Sequence, residues 1–343
     1  MTYEYERVAT PSSGLRLHLN ENTAGCSPAV VDALRSLTRT QIAEYPDYDR
    51  SVMATSARLG IEPDRLLLTN GLDEGILVAA MVALRATAGD AEAIVVVPAF
   101  DMYAACTDAA GGRVIEVPLD DGFGFPIERV LSAISERTRL VWLTNPNNPT
   151  GQSIPRDAVR RIASAAGGSI VFVDEAYVDF GGVTLVGDTL LSEFPRIVVG
   201  RTFAKAYGLA GIRAGAVIGD PGTIASLRRV TPPYSLNVGA AVALPAAFGD
   251  VSYYDWYVDQ VAQSKVLLYD RLEKMGVVHW KSDANFVLAR FEGRGAQVAA
   301  ALAGRGVHVR DRSRDRGCAD CLRITAGVVE HTREFLTALE GVL

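Results

Sequence analysis

From Arg65 onward the chain alternates short, nearly uninterrupted apolar runs with longer segments of helical length. LLLT, AIVVV, RVIEV, LVWLT, IVFVD, RIVVG and AGAVIG have strand length, and a run apolar at almost every position predicts a strand buried on both faces. Strands of this kind alternating with helices predict an α/β fold with a parallel sheet wrapped by helices. Upstream, residues 1 to about 28 hold few periodic apolar positions and end in LHLNENTAGCSP, with turn chemistry at Asn20, Asn22, Gly25 and Pro28. A helix is predicted from Pro28 to Leu37. Downstream, TPPYSLN at 231–237 interrupts the alternation with two prolines and reads as a hinge. A long amphipathic helix from Ser252 to Met275 follows, ended by Gly276. NFVLARF, GVHVR and LRIT then predict strands, and a last helix runs near His331 to Leu343. This third of the chain reads as a smaller α+β domain.

Ligands of open parallel sheets bind beyond the carboxyl ends of the strands, so the residues placed there are the candidate site. After LLLT come Asn70, Gly71, Leu72, Asp73 and Glu74, a turn into a helix whose first amides are free to hold an anion. After AIVVV comes PAFDMY, which sets an aromatic either against a flat ligand or into the core. After LVWLT comes NPNNPTG, a constrained loop that points amides into the cleft. After IVFV, Asp174 ends a strand expected to be buried, and a charge there is costly unless paired. Two readings are open for it: partner of a protonated pyridine nitrogen, or cap of the next helix. Tyr177 lies within reach of the same ligand.

The stretch RTFAKAYGLAGIRAG, from Arg201 to Gly215, concentrates this chemistry. Lys205 stands among Phe203, Ala204, Ala206, Leu209 and Ala210, and a lysine drawn out of water becomes a nucleophilic amine suited to Schiff-base chemistry. Thr202 and Arg213 flank it with a hydroxyl and a guanidinium, which are phosphate ligands. An aldehyde cofactor that carries a phosphate, pyridoxal 5'-phosphate, would use all three.

Composition narrows the classes without adding a site. The 343 residues are 49% hydrophobic and 22% charged, with a net charge of −6, which argues against nucleic acid or an anionic membrane as principal partner. No apolar run approaches the roughly 20 residues of a membrane span, and MTYEYERV lacks the regions of a signal peptide, so a cytoplasmic protein is expected. Four cysteines make no disulfide scaffold, and Cys318 and Cys321 read as loop cysteines because no second pair completes a metal site. His18, His279, His308 and His331 show no ligand spacing, and no metal is expected.

The motifs NPNNPTG, VDEAY, RTFAKAYGLAGIRAG, SDANFVLARF and VRDRS followed by CLRIT resemble the pyridoxal-phosphate aminotransferases of fold type I, and within them the histidinol-phosphate aminotransferases. The likeness runs from Leu19 to Leu322. It implies a fold type I transferase: a large domain at 36–235 with a mostly parallel sheet, a small domain at 236–343, and an arm at 1–35 that packs partly with the small domain. It implies that Lys205 carries the cofactor, with Asp174 on the ring nitrogen and Asn148 and Tyr177 on the ring hydroxyl. Thr202, Arg213 and the amides of Leu72 and Asp73 would hold its phosphate, and Phe100 would stack on the ring. Tyr45, in itself a plausible turn aromatic, matches a tyrosine that reaches the phosphate from a second subunit, which implies a homodimer.

For the substrate, the resemblance points to Arg323, with Arg310 and Asn22 nearby. Arg323 in a strand otherwise reads as a side chain that snorkels to solvent. The implied partners are a small-molecule amino donor and a 2-oxo acid acceptor, with Lys205 moving the proton between donor and cofactor. Where family members usually have a proline-tyrosine element before the arm, this chain has ATPSSGLRLHLNEN, and Tyr3 and Tyr5 are too near the terminus to equate with it. Leu72 and Ala204 also replace a smaller residue and a serine. Three readings follow: transamination of histidinol phosphate, transamination of aromatic or other amino acids, and a related lyase or decarboxylase. A non-catalytic regulator on this fold has against it the complete set of Lys205, Asp174, Tyr177 and Arg213.

Overall fold

The computed structural model describes residues 11–85 and 90–343. Among them, twelve strands form two sheets: β1 (Leu15–Leu17), β2 (Leu66–Asn70), β3 (Glu92–Val97), β4 (Arg113–Pro118), β5 (Thr138–Thr144), β6 (Ile170–Asp174), β7 (Ile197–Thr202), β8 (Ala214–Gly219), β9 (Val278–His279), β10 (Phe286–Arg290), β11 (Val307–Asp311) and β12 (Cys321–Thr325). The larger sheet has the order β2-β8-β7-β6-β5-β3-β4 and contains all seven apolar runs read as strands.

Alternate residues of each central strand enter different cores. Ile170 and Phe172 pack with the helix Leu72–Leu84 on one face, while Val171 and Val173 pack with the helix Arg156–Ala166 on the other. Burial on both faces is the physical reason why these strands are apolar at successive positions. Each such side chain removed from water contributes about 1.5–3 kcal/mol.

The sheet departs from the expected parallel order at one strand. β8 runs antiparallel to both β7 and β2. The link from Thr202 to Ala214 contains only a short 3-10 turn, Ala210–Ile212, whereas a parallel crossover takes about a dozen or more residues and usually a helix. The chain therefore turns straight back, and this brings Arg213, at the start of β8, to the edge where the parallel strands end.

The smaller sheet has the order β1-β11-β12-β10-β9. β1, from the N-terminal arm, pairs in parallel with β11, Leu15 opposite Val307. Segments 292 residues apart in sequence, at 15 and 307, thus share one sheet. The long helix spans Val251–Lys274 and the last one Val329–Glu340, close to their predicted positions. Cys318 lies in a loop as read, but Cys321 is corrected, since it opens β12, and both are fully buried with Leu288 and Phe123.

Candidate functional site

Strand ends bring the sequence candidates together. Thr202 closes β7 opposite Gly215, and Gly215 pairs on its other side with Thr69, so β2, β8 and β7 present Gly71, Arg213 and Thr202 along one edge. Gly71, at φ +77, caps the helix Leu72–Leu84 without a side-chain hydrogen bond, which leaves its first-turn amides available. The edge is closely shaped: a Cβ on Gly215 would lie 2.5 Å from the Leu72 nitrogen, and one on Gly71 would lie 2.5 Å from an Arg213 nitrogen. Arg213 also donates to Asp73 Oδ2 at 2.7 Å.

These residues open into a cavity of about 300 Å3, lined among others by Phe100, Asn148, Asp174, Tyr177, Lys205 and Arg323. Lys205 is half-buried, and its Nζ donates to the Leu19 carbonyl at 3.0 Å. Asp174 is 4% exposed. Its Oδ1 accepts the Ala176 amide at 2.9 Å, and its Oδ2 accepts the Tyr103 hydroxyl at 2.7 Å. Burial pushes this carboxyl up to about 6 against the pull of those two bonds and of Lys205. The Ala176 bond satisfies part of the capping reading, yet the other oxygen is turned to Tyr103 at the cavity wall.

Behind the wall a buried ion network ties β6 to β7. Glu175 is fully buried, takes the Leu185 amide at 2.6 Å and pairs with Arg201, which also reaches Asp179 at 2.8 Å. Asp174 and Thr202 are the chain neighbours of Glu175 and Arg201, so this network fixes the backbone from which both project. A half-removed buried pair of this kind is strongly destabilising, by about 3–5 kcal/mol.

The far wall comes from the smaller sheet. Arg310 and Arg323 are cross-strand partners, and both line the cavity together with Arg312. Arg323, 5% exposed, donates to Asn148 Oδ1 and, at 2.7 Å, to the His18 carbonyl. Burial, aided by Arg312 and Arg310 and opposed by Tyr177 and Asp315, lowers it to about 10. Arg312 has Asp315 as its ion partner. The snorkelling reading of Arg323 does not hold, because its head is directed inward.

Not every candidate joins the cavity. Asn22 is spent on the Ala206 carbonyl at 3.0 Å and the Ala24 amide at 2.9 Å, away from the lining. Asn20, at φ +55, instead donates to the Tyr177 hydroxyl at 3.2 Å. Tyr45 is 78% exposed and stacks on Tyr234 with ring centres 4.2 Å apart. Tyr3 and Tyr5 lie outside the described residues.

Residues 12–339 match the family model for aminotransferase class I and II. The chain belongs to this family. A histidinol-phosphate aminotransferase of Carboxydothermus hydrogenoformans is 34% identical to this aminotransferase, over 99% of this chain and 94% of the relative. The solved structure of a histidinol-phosphate aminotransferase from Sinorhizobium meliloti in complex with pyridoxal-5'-phosphate superimposes with a TM-score of 0.83 at 25% identity, covering 96% of this chain and 90% of the other. One from Erwinia carotovora atroseptica, described as a putative histidinol-phosphate aminotransferase, reaches a TM-score of 0.87 at 23% identity over 97% and 98% of the two chains. The fold is that of fold type I aminotransferases.

Sequence reasoning missed Tyr103 and Arg312 in the aminotransferase site. Tyr103 falls in the PAFDMY stretch, where Phe100 drew the attention, and the two rings meet edge to face at 5.8 Å. Arg312 follows Arg310 in RDRS, and alternation along an extended segment is the signal that would have placed both on one side. No helix among the described residues is long and apolar enough to cross a membrane.

Proposed function

We propose that this aminotransferase uses pyridoxal 5'-phosphate to move the amino group of L-histidinol phosphate to a 2-oxo acid, 2-oxoglutarate being the natural choice. The residues present fit the cofactor. Thr202, Arg213 and the Leu72 and Asp73 amides make an anion cradle with no room for a Cβ at Gly215. Asp174 is a buried carboxylate suited to a cationic ring nitrogen, Phe100 offers a ring face, and Asn148 and Tyr177 offer polar groups for the ring hydroxyl. When bound, the cofactor supplies an electron sink that acidifies the proton on the substrate's amine-bearing carbon. Lys205 Nζ, mounted on the turn after β7, is the group that takes that proton and returns it. Arg323 orients the substrate with the rigid fork that a guanidinium provides.

The observation that carries the substrate reading is the cationic wall. Arg310 and Arg323 lie side by side with Arg312, and Asp315 pairs directly with Arg312 while its charge also acts on Arg323, one carboxylate against three guanidinium groups. Burial of unbalanced positive charge is costly, so the wall suits a doubly charged group such as a phosphate monoester. In the second half of the cycle 2-oxoglutarate sets its carboxylate on Arg323 of the same wall. The name shared by the relatives is the other support.

We further propose a cytoplasmic homodimer in histidine biosynthesis, with Tyr45 reaching the cofactor phosphate of the partner subunit. The exposure of Tyr45 and its stacking on Tyr234 in the loop before the helix Val238–Gly249 support a role outside its own cavity. The chain divides at about 35 and 235 into arm, large cofactor-binding domain (36–235) and small domain (236–343).

The deciding experiment is a half-reaction. L-histidinol phosphate or L-phenylalanine is added to the cofactor-loaded protein without oxo acid, and conversion to pyridoxamine phosphate is followed by absorbance. Conversion at far lower histidinol phosphate than phenylalanine is expected. The reverse preference makes this an aromatic aminotransferase, and release of carbon dioxide makes it a decarboxylase. Lys205→Ala should show no turnover in either case.

A further inference from the structure

Tyr103 is 1% exposed and sits in the first turn of the helix Met102–Ala109. Its hydroxyl is part of a fixed chain: Thr144 Oγ1 donates to it at 3.1 Å, and it donates to Asp174 Oδ2 at 2.7 Å. Its ring stacks on Trp142 with centres 5.2 Å apart, and Trp142 is itself anchored by its Nε1 donating to Thr107 Oγ1 at 3.1 Å. β5 and β6 supply the frame, because Thr144 and Asp174 are paired strand residues. Without Tyr103, Asp174 would keep the Ala176 amide on Oδ1 and leave Oδ2 without this donor, which favours uptake of a proton.

We propose that Tyr103 is a positioning residue for the reaction: its hydroxyl fixes the Asp174 carboxylate in one orientation and in its ionised form, ready for a cationic pyridine nitrogen. This rests on the reading of the cavity as a pyridoxal-phosphate site. Three features make Tyr103 suited to the task. Burial and the neighbouring carboxylate hold its phenol well above the usual tyrosine range, so it stays a neutral donor. The hydrogen bond from Thr144 occupies its oxygen and directs its proton to Asp174, and such chained bonds strengthen one another. The Trp142 stack leaves the ring no alternative position. Without this donor Asp174, already raised by burial, moves further toward the neutral acid.

Tyr103→Phe keeps the ring and its stacking and removes only the donor. The test uses cofactor-free protein and pyridoxamine phosphate, which binds without a covalent bond, beside its 1-deaza analogue, in which carbon replaces the ring nitrogen. A hydrogen bond to a charged group is worth about tenfold or more in affinity, so Tyr103→Phe should bind pyridoxamine phosphate about tenfold more weakly than the wild type. The deaza analogue should bind both proteins alike. Carboxyl-carbon NMR of the cofactor-free protein should show Asp174 titrating at higher pH in the variant. Equal losses for both ligands would show a merely structural role, and no loss for either would also overturn the proposal. Failure of the wild type to bind pyridoxamine phosphate would instead overturn the cofactor reading and the proposal with it. If Tyr103→Phe does not fold, Thr144→Val decides: it should shift the Asp174 titration the same way by a smaller amount, and an unmoved titration refutes the relay.

Discussion

His18 gives a pH prediction with a definite sign. It follows β1, is 3% exposed, and neither ring nitrogen has a hydrogen-bond partner among the described residues. The ring lies edge-on to His308 at 6.3 Å. Burial first, then Arg16 on β1, His308 and Arg310 on β11, and Arg323 on β12, together lower its pKa to about 4. In the unfolded chain an unperturbed histidine titrates near 6.5. Between those two values the unfolded state binds the proton and the folded state does not, so stability falls as pH drops from 6.5 toward 4. At 1.36 kcal/mol per pKa unit, the loss attributable to this one ring is about 3 kcal/mol. His18→Asn removes the titration and retains the backbone carbonyl that accepts from Arg323. Urea unfolding of cofactor-free protein, at one protein concentration and at several pH values from 7 to 4.5, compares the two. The variant should gain steadily on the wild type as pH falls, and most of the gain should appear below pH 6. Parallel curves, or an imidazole resonance of His18 titrating at or above 6.5, would refute the assignment of a neutral buried ring.

Two further substitutions test the walls of the cavity. Arg323→Lys keeps the charge but loses the fork that spans Asn148 and the His18 carbonyl; with hydrogen bonds to charged groups worth about 1.5–3 kcal/mol, KM for the amino donor should rise about tenfold to a hundredfold. An unchanged KM in steady-state assays would remove Arg323 from substrate binding. Gly215→Ala forces a methyl against the Leu72 nitrogen and the Gly71 carbonyl carbon, at 2.5 and 2.6 Å. Overpacking of this kind costs about 1–3 kcal/mol, so calorimetry should show a lower Tm and equilibrium dialysis a weaker hold on pyridoxamine phosphate. A variant with wild-type Tm and affinity would mean that the helix start is not held where the structure places it.

What could be read from the chain depends on whether the main-chain path or a distant side chain decides a residue's place. Asp174 and the Gly71 turn stand at the ends of apolar runs, and Thr202 and Lys205 come a few residues after one, so a sheet with aligned strand ends brings them together without knowledge of any side-chain contact. Arg213 reaches the same edge for a different reason, the short return into antiparallel β8, which is visible in the loop length but not in the apolar pattern. Asn20 and Asn22 show the limit of such reasoning. Both occupy the same turn-forming stretch, and only the positive φ of Asn20, held by bonds to Thr325 and Asn285, decides which amide faces Tyr177. Tyr103 depends on a bond to a residue 71 positions away, and the His18 environment on strands about 300 positions away. The buried cysteines belong with these cases: Cys321 is the first residue of a strand whose partners lie elsewhere in the chain, so the polar stretch RDRGCADC carries no local sign of their burial. The chemistry placed by strand ends is therefore open to reading, while the residue that tunes it, Tyr103 on Asp174, becomes visible only once a helix has packed on its own sheet, and Arg312 joins Arg323 only through the pairing of β11 with β12.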